Sequence, residues 1–177
     1  MALQEIEFAS ANGRDTIQAW LHTPIAEPKA IVQIVHGLGE HSRRYLHLIS
    51  ALLDEGFAVA AGDHSGHGRT AMRSGIWADA GDDAARVVVD DELALLARVR
   101  QELPGVPVVV FGHSWGSMIA RVLAAQPDVE LAGLALGGIA AQMRGIESTL
   151  DRDMLARLSA GEGRAEPAPD LLVGQLF

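Results

Sequence analysis

Cysteine is absent from the 177 residues, which removes disulfides, thiolate zinc sites and a cysteine nucleophile together. That absence fits a reducing compartment. No cluster of lysine and arginine occurs, and the formal net charge is −9. Such a surface repels a phosphate backbone, which argues against nucleic acid as a partner. No stretch approaches the ~18 consecutive apolar residues of a membrane span. The opening "MALQEIEFASANGRD" carries early acids and lacks the apolar run of a signal peptide. No internal repeat or low-complexity tract interrupts the chain. The expectation is a cytoplasmic protein whose length suits one domain. Hydrophobic residues make up 49%, ample for a packed core.

What is present alternates between two periods. "LQEIEFAS" and "DTIQAWLHT" switch apolar and polar residues around Asn12-Gly13, a hairpin signal. "AIVQIVHG", from Ala30 to Gly37, is a near-continuous apolar run, as in a strand buried on both faces. From Ser42 to Leu53, Tyr45, Leu48, Ile49 and Leu52 recur at helical spacing, and Gly56 ends the segment. "FAVAAGDH" predicts the next strand. Asp90 or Asp91 is suited to cap a helix carrying Leu93, Leu96, Val99 and Leu103. "VPVVVFG", "SMIARVLAAQP" and "LAGLALGGIA" predict strand, helix and strand. Strands alternating with helices imply right-handed crossovers and an open α/β sheet. After Ala140 the texture changes. Ile146, Leu150, Met154, Leu155 and Leu158 fit one amphipathic helix, followed by a linker and an apolar end.

Gly112-His113-Ser114-Trp115-Gly116 matches G-x-S-x-G, the nucleophile elbow. There a serine occupies a strained strand-to-helix turn, and glycines two positions away avoid collisions with neighbouring backbone. The pattern alone is weak, and the bland alternative is a Gly-Ser turn without chemistry. The β-branched run before it and the apolar-periodic helix after it favour the elbow. Acyl transfer needs two donors for the tetrahedral oxygen. One is the N–H of Trp115; Gly37 and Gly39 in "HGLGEHSRRY" make Leu38 N–H the natural second. His36 and His113 flank these segments as supporting residues.

"GDHSGHGRT" admits a rival, because Gly66 to Ala71 fits G-x-G-x-x-A with Asp90 downstream. A dinucleotide fingerprint opens a helix at once, and "RTAMRSGIWADAGDD" shows no sustained apolar stripe. Tight turns and side-chain hydrogen bonds around His64, His67 and Arg69 are the better expectation. His36, His41, His64 and His67 fit no H-E-x-x-H pattern. No metal or cofactor is expected.

In this order and spacing, "HGLGEHSRRY", "GDHSGHGRT" and "GHSWGS" resemble the α/β-hydrolase fold. Within it they resemble the monoacylglycerol lipase, lysophospholipase and serine-aminopeptidase-like group. That group shows H-G-x-x-E-H, D-x-R-G-H-G-x-S and G-H-S-M-G-G at these places. Here Ser65 replaces Arg, Thr70 replaces Ser, and Trp115 and Ser117 replace Met and Gly. The resemblance implies Ser114 as nucleophile and Leu38 and Trp115 as oxyanion donors. It further implies an open, mostly parallel sheet with helices on both faces behind an N-terminal antiparallel hairpin. Residues 1–140 would be the N-terminal part of the core and 141–177 the start of a cap. The implied partner is a small-molecule ester or lipid, with peripheral membrane contact accompanying a lipid substrate.

The triad of this fold runs Ser, then Asp or Glu, then His. Acids follow Ser114 at 128, 130, 147, 151, 153, 162, 166 and 170, but the last histidine is His113. The expectation is therefore a chain cut short before its acid, its base and its terminal strands, with an open sheet edge. Without a base the hydroxyl is a poor nucleophile at neutral pH. A base recruited from His36 or His64 requires a ring nitrogen within ~3.2 Å of Ser114 Oγ. The alternative from another class is a non-catalytic binding protein that keeps the half-sheet.

Overall fold

The computed structural model describes residues 1–139 and Asp153. The helix expected across 146–158, the linker and the apolar end lie outside the described residues. The chain divides into two compact units, residues 1–141 and 142–177, and the six described strands all belong to the first.

β1 (Ala2–Ala9) and β2 (Thr16–Thr23) pair antiparallel. Their connection, residues 10–15, is longer than a two-residue turn because it is docked rather than free. Asn12 Nδ2 donates to Asp15, to Ser65 Oγ at 3.2 Å and to the Ala80 carbonyl at 3.2 Å. β3 (Ile31–Val35), β4 (Ala58–Asp63), β5 (Val108–His113) and β6 (Gly133–Gly137) follow. Among the described residues the strand order is β1-β2-β4-β3-β5-β6. β2 meets β4 antiparallel, and β4, β3, β5 and β6 run parallel. The expected mostly parallel sheet behind a hairpin is what forms.

β3 and β4 are buried along their whole length, because alternate side chains enter two different cores. Ile31, Val35, Ala58 and Ala60 join one core with residues of α3 (Ala84–Glu102) and α4 (Trp115–Ala124). Val32, Ile34, Val59 and Ala61 join the other with Tyr45 and Ile49. Ile49 belongs to α1 (Leu46–Asp54), which a 3-10 turn at Ser42–Tyr45 precedes. α1 ends in a Schellman motif: Phe57 N–H donates to Leu52 O, and Gly56, at φ +82°, donates to Leu53 O.

Two expectations need correction. Asp90 and Asp91 cap nothing, because α3 begins at Ala84. Val87, Val88 and Val89 are buried, so packing carries a β-branched run into the helix against its weak propensity. Asp91 instead faces the hairpin loop, accepting hydrogen bonds from Ser10 Oγ and Ala11 N–H, each at 2.7 Å. A helix does open after "GDHSGH", as α2 (Gly68–Ser74). It is short and tied to the body of the domain by Thr70, whose hydroxyl donates to Asp63 O at 2.7 Å and accepts from Gln18 N–H at 3.0 Å.

Candidate active site

β5 hands over to α4 at Ser114, which lies at φ +52° and ψ −118°. A residue with a Cβ stays at such angles only where its surroundings enforce them, and here they do. Ser114 N–H donates to Gly137 O at 2.9 Å, extending the ladder to β6, while its own carbonyl accepts from Ser117 N–H at 2.9 Å and Ser117 Oγ at 2.6 Å. Glycine is required on both sides. A Cβ at Gly116 would overlap the carbonyl oxygens of Val35 and His36, and one at Gly112 would overlap the Gly116 carbonyl and lie 2.8 Å from Ala120 Cβ.

The register of β3 on β5 sets Val35 opposite Gly112. The loop leaving β3 therefore arrives beside the corner. A Cβ on Gly37 would sit 3.3 Å from Ser114 Cβ and 3.3 Å from His113 O. Gly39, at φ +71°, turns the loop back in open space. Leu38 between them is exposed. The structure thus brings Gly37, Gly112, His113, Ser114 and Gly116 together, with Trp115 opening α4 directly after the serine.

His36 is fully buried and used at both ring nitrogens. Its Nδ1–H donates to Gly37 O at 2.8 Å, and its Nε2 accepts from His64 N–H at 3.1 Å, which assigns the neutral Nδ1–H tautomer. Burial lowers its pKa to about 4. His64 is buried too, its Nε2 3.4 Å from His36 O and its Nδ1 3.4 Å from Glu92 Oε1. Burial drives His64 well below the usual imidazole range and raises Glu92 to about 8. Both shifts favour the neutral forms, so this contact is carboxylic acid to imidazole, and Gln33 Nε2 completes it by donating to Glu92 Oε2 at 2.5 Å. Neither His36 nor His64 makes a hydrogen bond to Ser114 Oγ, which removes both as its base. His67 stacks on the Trp115 indole at 5.6 Å between centroids, and His64 meets that ring edge-on at 5.3 Å.

Two acids that sequence reasoning missed organise these loops. Glu40 Oε2 accepts from Gly37 N–H at 2.9 Å, Tyr45 O–H at 2.6 Å and His113 Nδ1 at 3.2 Å. Burial pushes this carboxyl up, but the three hydrogen bonds outweigh it and bring the pKa down to about 2. Asp63 accepts from Ser42 N–H and Arg69 N–H, each at 2.7 Å, and a Cβ on Gly68 would overlap its carboxylate. An internal carboxylate therefore occupies the ground where a dinucleotide fingerprint would seat phosphate. The signal for both acids was their place inside the motifs: a single acid between small or turning residues that has backbone N–H groups to satisfy. Ser65 pairs with Ser10 Oγ at 3.0 Å, tying this loop to the hairpin. Among the described residues no group of three or more His, Asp and Glu side chains is disposed to hold a metal ion. Nor is any helix long and apolar enough to cross a membrane.

A cavity of about 570 Å³ opens beside residues 39–41, bounded by Met72, Trp77 and Ala78. The exposed side chains of Leu38, Met72 and Trp77 give this end of the sheet an apolar surface.

The family profile described as serine aminopeptidase, S33, matches residues 26–160. Monoglyceride lipase of Homo sapiens is 36% identical over 113 residues, 64% of this chain and 36% of that protein. Monoacylglycerol lipase of Mycolicibacterium smegmatis is 31% identical over 135 residues, 76% of this chain and 46% of that protein. A solved structure described as a lipase in open form is 62% identical with a TM-score of 0.90, covering 99% of this chain and 56% of that one. A thermostable carboxyl esterase from Bacillus coagulans, solved in complex with glycerol, is 45% identical with a TM-score of 0.86, covering 93% of this chain and 53% of that one. The chain thus spans between about a third and somewhat over half of these relatives' lengths.

Proposed function

Because this chain belongs to the serine aminopeptidase S33 family of α/β-hydrolases, we propose that it supplies the nucleophile and oxyanion site of an ester hydrolase acting on monoacylglycerol-like lipids. The observation that carries this is the corner itself: a serine at φ +52°, between two glycines that admit no Cβ, with a glycine loop packed against it. In the proposed reaction Ser114 Oγ attacks the ester carbonyl and gives up its proton to a general base. The tetrahedral oxyanion is held by the N–H groups of Leu38 and Trp115. Collapse expels the alcohol and leaves an acyl-serine, which water then cleaves to the acid. The names of the relatives, the glycerol bound to the Bacillus esterase and the exposed apolar side chains of Leu38, Met72 and Trp77 support a glycerol ester of a fatty acid. Residues 141–177 are read as the start of a cap segment.

Among the described residues Ser114 Oγ has no imidazole partner, and no histidine follows it within the 177 residues. In this reading the general base is supplied from outside these 177 residues. A fluorophosphonate probe with peptide mapping tests the reading. In a protein extended downstream to include the acid and the histidine, Ser114 is the expected adduct and Ser114→Ala removes it. The 177-residue chain alone should label more slowly by about 10³-fold. An extended, folded protein whose Ser114 stays unlabelled would overturn the proposal.

A further inference from the structure

We propose that His36 and Glu40 are positioning residues that aim the Leu38 N–H at Ser114, His36 by holding the Gly37–Leu38 peptide and Glu40 by holding the peptide before it. The inference rests on the ester-hydrolase reading, since it concerns that reaction's oxyanion donor.

A trans peptide is planar, so the carbonyl of Gly37 and the N–H of Leu38 are opposite ends of one rigid plate. Whatever fixes the carbonyl also fixes the direction of the N–H. His36 does so, donating from Nδ1 to Gly37 O at 2.8 Å. The ring cannot turn over without losing both partners, because Nε2 already accepts from His64 N–H at 3.1 Å. It is also fully buried, 4.0 Å centroid to centroid from the His64 ring. The preceding peptide is held by the other side chain. Gly37 N–H donates to Glu40 Oε2 at 2.9 Å, and the same oxygen takes His113 Nδ1 at 3.2 Å. His113 is the residue before Ser114, so one carboxylate oxygen ties the donor loop to the corner it serves. Glycine at 37 is part of the device: a Cβ there would stand 2.9 Å from that oxygen.

A filler role for His36 would depend on volume alone, whereas a positioning role depends on which nitrogen is replaced. Asparagine places a donor near the Nδ1 position, and glutamine reaches the Nε2 position. In the extended, probe-reactive protein, steady-state hydrolysis of a short p-nitrophenyl ester separates the two. His36→Asn should keep kcat within about tenfold. His36→Gln and Glu40→Gln should each lower kcat by about 10²-fold, the scale of one lost oxyanion donor, with KM within about twofold. Two readouts need no turnover. Nitrogen NMR of His36 should show a protonated Nδ1 and an unprotonated Nε2, and Glu40→Gln should speed exchange of the Gly37 amide by more than its fall in Tm accounts for. Equal losses in kcat and Tm for His36→Asn and His36→Gln would overturn the inference, as would the opposite tautomer. Failure of the wild type to label at Ser114 would instead count against the ester-hydrolase reading and leave the tautomer result to stand or fall by itself.

Discussion

Ser114 holds a positive φ at a cost of about 1–3 kcal/mol, which the packed glycines around it must offset. Three of the glycines in these two segments, the corner and the loop leaving β3, do different work. Gly112 and Gly116 exist to leave room, since a Cβ at either overlaps a carbonyl. Gly39 exists for its φ of +71°, with nothing within 4 Å of a Cβ there. Alanine substitutions should separate the cases in urea titrations. Gly39→Ala is expected to cost about 1 kcal/mol, the ordinary penalty for a left-handed alanine. Gly116→Ala should cost about 3 kcal/mol or more, because backbone oxygens cannot step aside as a side chain can. The G-x-S-x-G spacing made this cluster legible beforehand. The motif placed Glu40 but not its partners, because its three donors come from Gly37 before it, from Tyr45 after it and from His113 at the end of a distant strand.

At the scale of elements, α3 shows how a local rule yields to packing. Two aspartates before a leucine stripe look like a cap, yet the helix starts seven residues before Asp91, at Ala84. Asp91 serves the hairpin instead. Asp91→Ala should leave Ala11 N–H without its partner and remove the acceptor of Ser10 Oγ, which keeps Ser65 Oγ and Asn12 N–H, costing about 2 kcal/mol. Hydrogen exchange would locate the damage: amides of residues 10–13 should exchange faster, while those of residues 87–90 keep their protection. The reverse pattern would restore Asp91 to a capping role. α4 and β6 carry the opposite feature. Met118 and Val122 of α4, Leu134 of β6 and Ile139 just beyond it are each at least 41% exposed.

Across the whole molecule, buried ionisable groups set how stability follows pH. Burial lowers His36 to about 4 and moves His64 and His67 down as well, so the fold favours their neutral forms. That contribution is complete above the unfolded value near 6.5 and is lost as pH falls toward 4. Glu40 has the depressed value of about 2; its contribution, about 3 kcal/mol, is present above about 4.5 and is lost as pH falls through 2. Glu92 works in the other sense. Its raised value of about 8 means that stability falls as pH rises from about 4.5 to 8, because only the unfolded chain ionises freely there. Glutamine at 92 mimics the neutral acid, accepting from Gln33 and donating to His64. Urea titrations of Glu92→Gln should match the wild type below pH 4.5 and show greater stability at pH 9. A wild type that outlasts the variant at pH 9 would mean that Glu92 is ionised and paired in the fold.

The sequence by itself determined the periodicities, the buried parallel strands, the hairpin and the family to which the motifs point. These follow from local rules: side-chain alternation in strands, helical spacing, and glycine wherever the backbone needs room or a positive φ. Only the tertiary structure decided which groups meet. It engaged both nitrogens of His36 and buried His64 against Glu92, which took them away from the serine. It gave Asp63 to the start of a short helix and Glu40 to three donors at once. The physical reason is that a buried polar group must find its partner wherever the packed chain brings one within about 3 Å, and that distance is set by strand register across the sheet, not by spacing along the chain.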